Sequence, residues 1–320
     1  MAVTLKGIAG MLQVSPATVS LALNGSPLVA EETRSRILAL AEQLDYVPNN
    51  FGRGLQSKRS RLLGYLTGTA TISFWGAILE SVGREAARHG YGLLTGWNSG
   101  EDGRSPDAQL QLLLEKHIDG LLVSLSAETM RPYLAKLRKR GVPVLFCSGD
   151  AVRDVAYVRT DYFQGGVLAA KHLLELGHRN LLCCRREPER RDGNLAAAEK
   201  YPDAHVVGFD LDDDILKVLE QHPEITAIIA YSDDHAVNLM YRLRHAGFQV
   251  PEDLSVVGFD GSWFAERPEF NLTTIVQRQQ DLGRDAVCAL LNMIERNKTT
   301  EQRMLAPELV VRSTTAAPRR

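Results

Sequence analysis

From residue 62 onward short apolar runs alternate with stretches of helical periodicity, and this rhythm admits few architectures. Leu62–Leu66, Gly92–Trp97, Gly120–Leu125 and Pro143–Cys147 read as strands, with helices between them near 75–89, 106–117 and 128–140. A second series follows with Asn180–Cys184, His205–Phe209, Ala227–Tyr231 and Ser255–Phe259, again with helices in the gaps. Such a βαβα succession builds parallel sheets covered by helices on both faces. Ligands in these folds bind beyond the carboxyl ends of the strands, so two facing lobes make a cleft.

The first 48 residues follow a different rule, with three short helices. Thr4 is placed to cap a helix reaching about Leu12, with Ile8, Ala9 and Leu12 on one face. Ser15 caps a second, Pro16 suits its first position, and Asn24-Gly25 ends it in a left-handed turn. A third, roughly Glu31–Leu44, turns Ile37, Leu40, Ala41 and Leu44 inward and stops before Tyr46-Val47-Pro48. Two helices joined by a tight turn and braced by a third form a helix-turn-helix. On helix pattern alone, DNA binding and a small helical cap on an enzyme are equal readings.

Charge separates the two parts. Residues 1–61 hold seven Lys or Arg against four acids, whereas the remainder carries 30 basic and 35 acidic residues. A basic N-terminal piece on an acidic body suits an anionic partner at one end. No apolar stretch is long enough to span a bilayer. Met1–Gly10 has one Lys6 and no apolar h-region, so no signal peptide is expected. Cys147, Cys183, Cys184 and Cys288 show no CxxC spacing and suit a reducing cytoplasm.

Thr4-x-x-x-Ile8-Ala9, Val14-Ser15-x-Ala17-Thr18-Val19-Ser20, Leu23-Asn24, Thr33-Arg34-x-x-Ile37, Tyr46-x-Pro48-Asn49 and Arg53-x-Leu55 keep the order and spacing of the LacI/GalR repressor family. The chain resembles that family over these residues. The resemblance implies an N-terminal all-α helix-turn-helix domain (1–48), a hinge helix or linker (49–60) and a two-lobed, periplasmic-binding-protein-like α/β domain (61–313). It also implies that Thr4, Ser15, Pro16, Ala17, Thr18, Ser20, Leu21, Asn24, Asn49, Arg53, Leu55 and Lys58 meet palindromic operator DNA. Leu55 holds the position of a minor-groove wedge, which unstacks a base step and bends the duplex. Read without the family, 49–58 is a flexible linker with an incidental leucine. Between Gly10 and Ala30 no residue is charged. Where relatives often have Arg, this chain has Leu21, and leucine offers only apolar contact, for example to a thymine methyl. Ala30 likewise replaces the usual capping Ser of the third helix.

The larger part resembles the family's sensor through Asp119-Gly120-Leu121-Leu122, Val142-Pro143-Val144, Gly177-His178-Arg179, Ser232-Asp233-x-x-Ala236, Pro251-x-Asp253-Leu254-Ser255-Val256-Val257-Gly258-Phe259-Asp260 and Leu272-Thr273-Thr274-Ile275. This implies crossings between lobes near 160, 278 and 304, with an N-lobe of about 61–159 and 279–303, a C-lobe of about 160–278 and 304–313, and a tail at 314–320. Phe74, Trp75, Arg190, Asp260 and Gln277 then face a small, sugar-like effector, with Ser148 and Ser232 where relatives often have Asp and Asn. Asn194 stands where an aromatic commonly follows the glycine, and Gly177–Asp233 is shorter than in typical members. Arg190 also lies in Arg185-Arg186-Glu187-Pro188-Glu189-Arg190-Arg191, a run that by itself reads as a solvated charged surface.

The sequence has no HExxH, GxSxG or P-loop, so no catalytic residue, cofactor or metal ligand is assigned. Asp210, Asp212, Asp213 and Asp214 lack the glycine and distal glutamate of a calcium loop and suit a helix N-terminus. The leading expectation is a cytoplasmic, homodimeric transcription regulator, by its family a repressor, without membrane contact. After a last strand at Met304–Arg312 too little chain remains for a tetramerisation coil. A sugar-binding protein, a regulator with little or no effector response, and an α/β enzyme with a helical cap are the alternatives.

Overall fold

A computed structural model of the 320-residue chain describes residues 3–23, 25–46, 59–68, 73–97, 106–149, 154–296 and 301–319. The chain divides into two compact units, Met1–Ser60 and Arg61–Arg320.

In the first unit, α1 (Leu5–Leu12) begins where Thr4 Oγ1 accepts from the Gly7 amide at 3.1 Å. α2 (Pro16–Leu23) begins where Ser15 Oγ accepts from the Thr18 amide at 3.0 Å. Each hydroxyl satisfies one of the amides that a helix start leaves without a partner. α3 (Glu31–Gln43) has no such side chain at Ala30. Arg34 compensates by gripping the preceding turn, donating to the carbonyls of Ser26 (2.7 Å) and Val29 (3.2 Å) and to Glu31 (2.7 Å). Ile8, Ala9, Val19, Ala22, Val29, Ile37 and Ala41 form the core of this small unit.

The second unit contains two six-stranded sheets. In chain order the N-lobe elements are β1 (Leu62–Thr67), α4 (Ser73–Arg88), β2 (Gly92–Trp97), α5 (Pro106–Glu115), β3 (Gly120–Ser124), α6 (Ala127–Lys139), β4 (Val144–Cys147) and β5 (Ala156–Thr160). The C-lobe follows with α7 (Tyr162–Glu175), β6 (Asn180–Cys184), α8 (Pro188–Ala198), β7 (His205–Phe209), α9 (Ile215–Gln221), β8 (Ala227–Ile229), α10 (Asp233–His245), β9 (Ser255–Asp260) and β10 (Thr274–Val276). The chain then returns to the N-lobe through α11 (Gln279–Arg296) and β11 (Gln302–Leu305), and closes with β12 (Glu308–Val310). The sheets run β11-β5-β4-β3-β1-β2 and β12-β10-β9-β8-β6-β7. Every pairing is parallel except β10 with β12.

Two expectations are corrected at the C-terminus. The single strand expected over Met304–Arg312 is two strands in different sheets, β11 and β12. Ala306-Pro307 separates them, and proline donates no ladder hydrogen bond, so the run breaks there and the chain changes lobe. The segment expected as a tail from 314 is part of the C-lobe. Thr314 is buried, accepts from the Thr273 amide (2.9 Å) and donates to the Val256 carbonyl (2.7 Å). The Ala316 carbonyl accepts from His178 Nε2 at 2.8 Å, and Arg319 pairs with Asp253 at 2.7 Å.

Candidate DNA-binding face and effector cleft

α2 buries Val19 and Ala22 and leaves Pro16, Ala17 and Leu21 exposed, with Thr18 and Ser20 half-buried. The outward face is therefore apolar and hydroxylic, with no charge. Neither α1 nor α2 has an acidic residue in its first turn, whereas α3 has Glu31 and Glu32 there. The positive ends of the first two helices are thus open to an anion, and that of α3 is already complemented. Thr4 is exposed at the start of α1, and the Ser15 and Thr18 hydroxyls lie 2.8 Å apart at the start of α2. Asn24, Asn49, Arg53, Leu55 and Lys58 lie outside the described residues.

At the C-lobe strand ends, the structure brings Asp260, Gln277 and Arg190 together. Asp260 ends β9 with φ 125° and is buried. Its carboxylate accepts from Gln277 Nε2 at 2.6 Å, and its carbonyl accepts from the Gln277 amide at 3.1 Å. Burial and the charge of neighbouring Asp233 push Asp260 well above the ordinary carboxylate range, with Arg190 pulling the other way. Asp233 is also raised, chiefly by burial, against hydrogen bonds from Thr274 and the Ser262 amide. The two buried carboxyls act on each other, so the charge of one raises the other.

Arg190 projects from the first turn of α8 onto aromatic faces. Its guanidinium carbon lies 3.6 Å from the Phe259 ring centre, 4.8 Å from Tyr162 and 5.4 Å from Tyr231, and Nη1 donates to the Tyr231 carbonyl at 2.6 Å. The charged run Arg185–Arg191 is therefore not uniformly solvated. Arg190 is placed inward because α7 and α8 touch backbone to backbone. A Cβ on Gly166 would sit 2.1 Å from the Arg190 carbonyl, and one on Gly193 would sit 2.1 Å from the Phe163 carbonyl. Beside the guanidinium, the cavity lined by Asn194, Cys184 and Tyr231 has room for about one water. Arg190 Nε, Asn194 Oδ1 and Gln277 Oε1 are buried without a hydrogen-bond partner.

The remaining expected residues sit differently. Phe74 is packed in the N-lobe core, with Trp75 edge-on against it (centroids 4.9 Å apart) and half-buried. Ser148 Oγ is bonded to the Tyr162 hydroxyl at 2.8 Å, and Ser232 Oγ caps α10 by accepting from the His235 amide at 3.1 Å. Both hydroxyls are engaged internally. Contacts that sequence reasoning left out join the lobes: Ser73 to Ser262 at 2.7 Å, and buried Arg159 of β5 to Glu189 of α8. Tyr162 lies beneath both Arg159 and Arg190. Asp233, of the Ser232-Asp233-x-x-Ala236 motif, joins the site because β9 and β10 end beside it, where it accepts from the Ser262 amide and the Thr274 hydroxyl.

Residues 4–49 match the family described as bacterial regulatory proteins, lacI family, and residues 170–315 match a periplasmic binding protein-like domain. The chain is 31% identical over 334 residues to the HTH-type transcriptional repressor PurR of Escherichia coli O1:K1 / APEC, spanning 98% of this chain and 97% of that protein. It is 30% identical over 331 residues to PurR of Vibrio atlanticus (strain LGP32), spanning 97% and 98%. Among solved structures, the lac repressor dimer bound to operator and the anti-inducer ONPF superposes with a TM-score of 0.83 at 24% identity, covering 99% of this chain and 100% of that one. The transcriptional regulator CelR–cellobiose complex gives 0.70 at 26% identity, covering 98% and 99%.

A helix-turn-helix unit preceding a two-lobed ligand-binding body defines a DNA-binding transcriptional regulator under small-metabolite control. The chain belongs to the lacI family of bacterial regulatory proteins.

Proposed function

We propose that this protein is a homodimeric repressor that binds palindromic operator DNA and is released or recruited by a sugar-like effector held between its lobes. One helix-turn-helix reads few base pairs, so two copies on related half-sites are needed for specificity. The observation that carries the effector reading is Gln277 on Asp260 beside Arg190, with Phe259 supplying an apolar face. Carboxyl, amide and guanidinium groups suit the hydroxyls of a sugar, and aromatic faces suit its apolar side. The similarity to the CelR–cellobiose complex supports that ligand class. Arg190 filling its aromatic cage favours a second reading, a regulator whose effector response is weak because the arginine must first be displaced.

On DNA, Pro16, Ala17 and Leu21 read apolar edges, while Thr4, Ser15, Thr18 and Ser20 meet phosphates and polar base edges. The hinge at 49–58 adds Asn49, Arg53 and Lys58 to the backbone contacts and Leu55 as a wedge. The protein acts by binding and not by catalysis, in the cytoplasm where its DNA partner lies.

An operator selected from random duplexes tests this. Replacing its thymines with deoxyuridine, which removes only the methyl, is expected to weaken footprinting by about 1 kcal/mol at the base facing Leu21. A selected site without dyad symmetry, or one indifferent to every thymine methyl, would overturn the reading. A melting-temperature screen of mono- and disaccharides tests the effector class.

A further inference from the structure

The N-lobe holds a group of side chains that the regulator's function does not use. Glu85 and His89 are one turn apart on α4 and at its end, and Cys288 faces them from α11, about 200 residues later in the chain. Their ligand atoms all lie within 4.8 Å of one another. Glu85 Oε1 is the common point, 3.1 Å from His89 Nε2 and 3.7 Å from Cys288 Sγ. The other carboxylate oxygen is held by Arg88 at 3.0 Å, which turns Oε1 toward the histidine and cysteine.

We propose that Glu85, His89 and Cys288 form a three-ligand site for a zinc-class divalent cation that ties α11 to α4. Tetrahedral bonds of about 2.0–2.3 Å put ligand atoms about 3.3–3.8 Å apart, a spacing the two Glu85 contacts already approach. His89 is the ligand that must swing. It is exposed at the end of its helix and has room to do so. Thiolate, imidazole and carboxylate together select zinc over magnesium or calcium. A water completes the fourth position on the solvent side, where His89 is exposed.

The two helices are built to approach here. A Cβ on Gly283 would lie 2.6 Å from that of Ser81, and Ser81 Oγ donates to the Gln280 carbonyl at 2.7 Å. Glu85 Oε1 and Cys288 Sγ face each other across the two helices. Asp285 is itself paired with Arg284 and Arg303, so Glu85 is the carboxylate turned to the thiol. Binding replaces the thiol proton by the metal and releases that proton to solvent. Cys147, Cys183 and Cys184 are buried elsewhere and do not compete.

The test is a cobalt(II) titration of the full-length, tag-free protein, stripped with EDTA and kept reduced. One equivalent of Co2+ is expected to give a near-ultraviolet thiolate-to-metal band with visible four-coordinate bands, both abolished by excess Zn2+. Cys288→Ser is expected to lose the thiolate band while keeping the parent melting temperature in EDTA. His89→Gln, at an exposed position that does not threaten folding, is expected to bind at least about tenfold more weakly. The proposal is overturned if no thiolate band appears, if it survives Cys288→Ser, or if His89→Gln binds as tightly as the parent.

Discussion

The two lobes are the same sheet built twice, yet they hold their polar groups differently. Reading from the edge, β2-β1-β3-β4-β5 and β7-β6-β8-β9-β10 follow one order, and only the last strand differs, parallel as β11 and antiparallel as β12. At the C-lobe strand ends Asp233, Asp260 and Gln277 are buried together with the guanidinium of Arg190 alongside. At the N-lobe strand ends the buried groups are the hydroxyls of Tyr65 and Ser124, bonded to each other at 2.8 Å and onward to the Cys147 carbonyl. Buried carboxyls therefore gather in one lobe, and the other supplies Phe74, Trp75, hydroxyls and the guanidinium of Arg159, which is spent on Glu189 across the lobe boundary. A repeated fold sets where a site falls, and substitutions at a few strand ends decide which copy does the recognition.

The comparison breaks most visibly at helical glycines. Gly193→Ala in the C-lobe drives a Cβ into the Phe163 carbonyl, and the α7–α8 crossing must separate. A loss of about 3 kcal/mol is expected, with the aromatic cage around Arg190 disturbed as well. Gly83→Ala in α4 of the N-lobe meets nothing nearer than Leu93 Cδ2 at 3.9 Å. It is expected to be neutral or to stabilise by up to about 1 kcal/mol through helix propensity. Urea unfolding of both variants decides it, and equal effects would show that Gly193 tolerates a side chain as Gly83 does.

Next in size is Asp260. Asp260→Ala is expected to cost a screened sugar effector about 1.5–3 kcal/mol of binding while leaving operator affinity without effector unchanged. Asp260→Asn isolates the charge. Burial raises the carboxyl in the folded state, so its stabilising contribution is complete below the unfolded carboxylate pKa and is lost as pH rises through the folded value. His235, lowered to about 4 by burial and Arg242, acts oppositely, its contribution present above the unfolded histidine pKa and lost as pH falls. The difference between parent and Asp260→Asn melting curves cancels the histidines. That difference is expected to grow in favour of Asn from acid to neutral pH. A flat difference would mean that Asp260 titrates normally and that the C-lobe site carries no excess proton.

What was legible in the sequence follows the range of the forces involved. Thr4 and Ser15 cap helices three residues away, and strands such as Gly92–Trp97 and Asn180–Cys184 begin and end where their apolar runs do, because those effects are local. The break at Ala306-Pro307 was legible in principle, since Pro307 stands within the expected strand. The docking of Thr314 and Ala316 was not, because their partners Thr273, Val256 and His178 are supplied by the folded C-lobe. At the candidate site the sequence points to Asp260 and Gln277 separately, and their mutual bond depends on β9 and β10 lying side by side. The engagement of Ser148 by Tyr162 and of Arg159 by Glu189 spans the lobe boundary, which leaves no trace in periodicity. Glu85 and His89 have helical ligand spacing, but Cys288 reaches them only because α11 crosses back between lobes.

The smallest expected effect concerns the join itself. Ser73 at the start of α4 donates to Ser262, whose amide in turn donates to Asp233 at 2.6 Å, so a single hydroxyl connects the N-lobe to the charged end of the C-lobe. Ser262 is held by its backbone whether or not Ser73 is present. Ser73→Ala should therefore remove one neutral hydrogen bond and cost about 1 kcal/mol, or about 2–4 °C in melting temperature. If the two hydroxyls act on each other, adding Ser262→Ala should cost little more, giving a coupling energy of about 0.5–1 kcal/mol in a double-mutant cycle. Strictly additive losses would place the two serines in separate hydrogen-bond systems. The lobes would then be joined through Arg159 and Glu189 and through Ser148 and Tyr162, on the side of the cleft where the chain itself crosses.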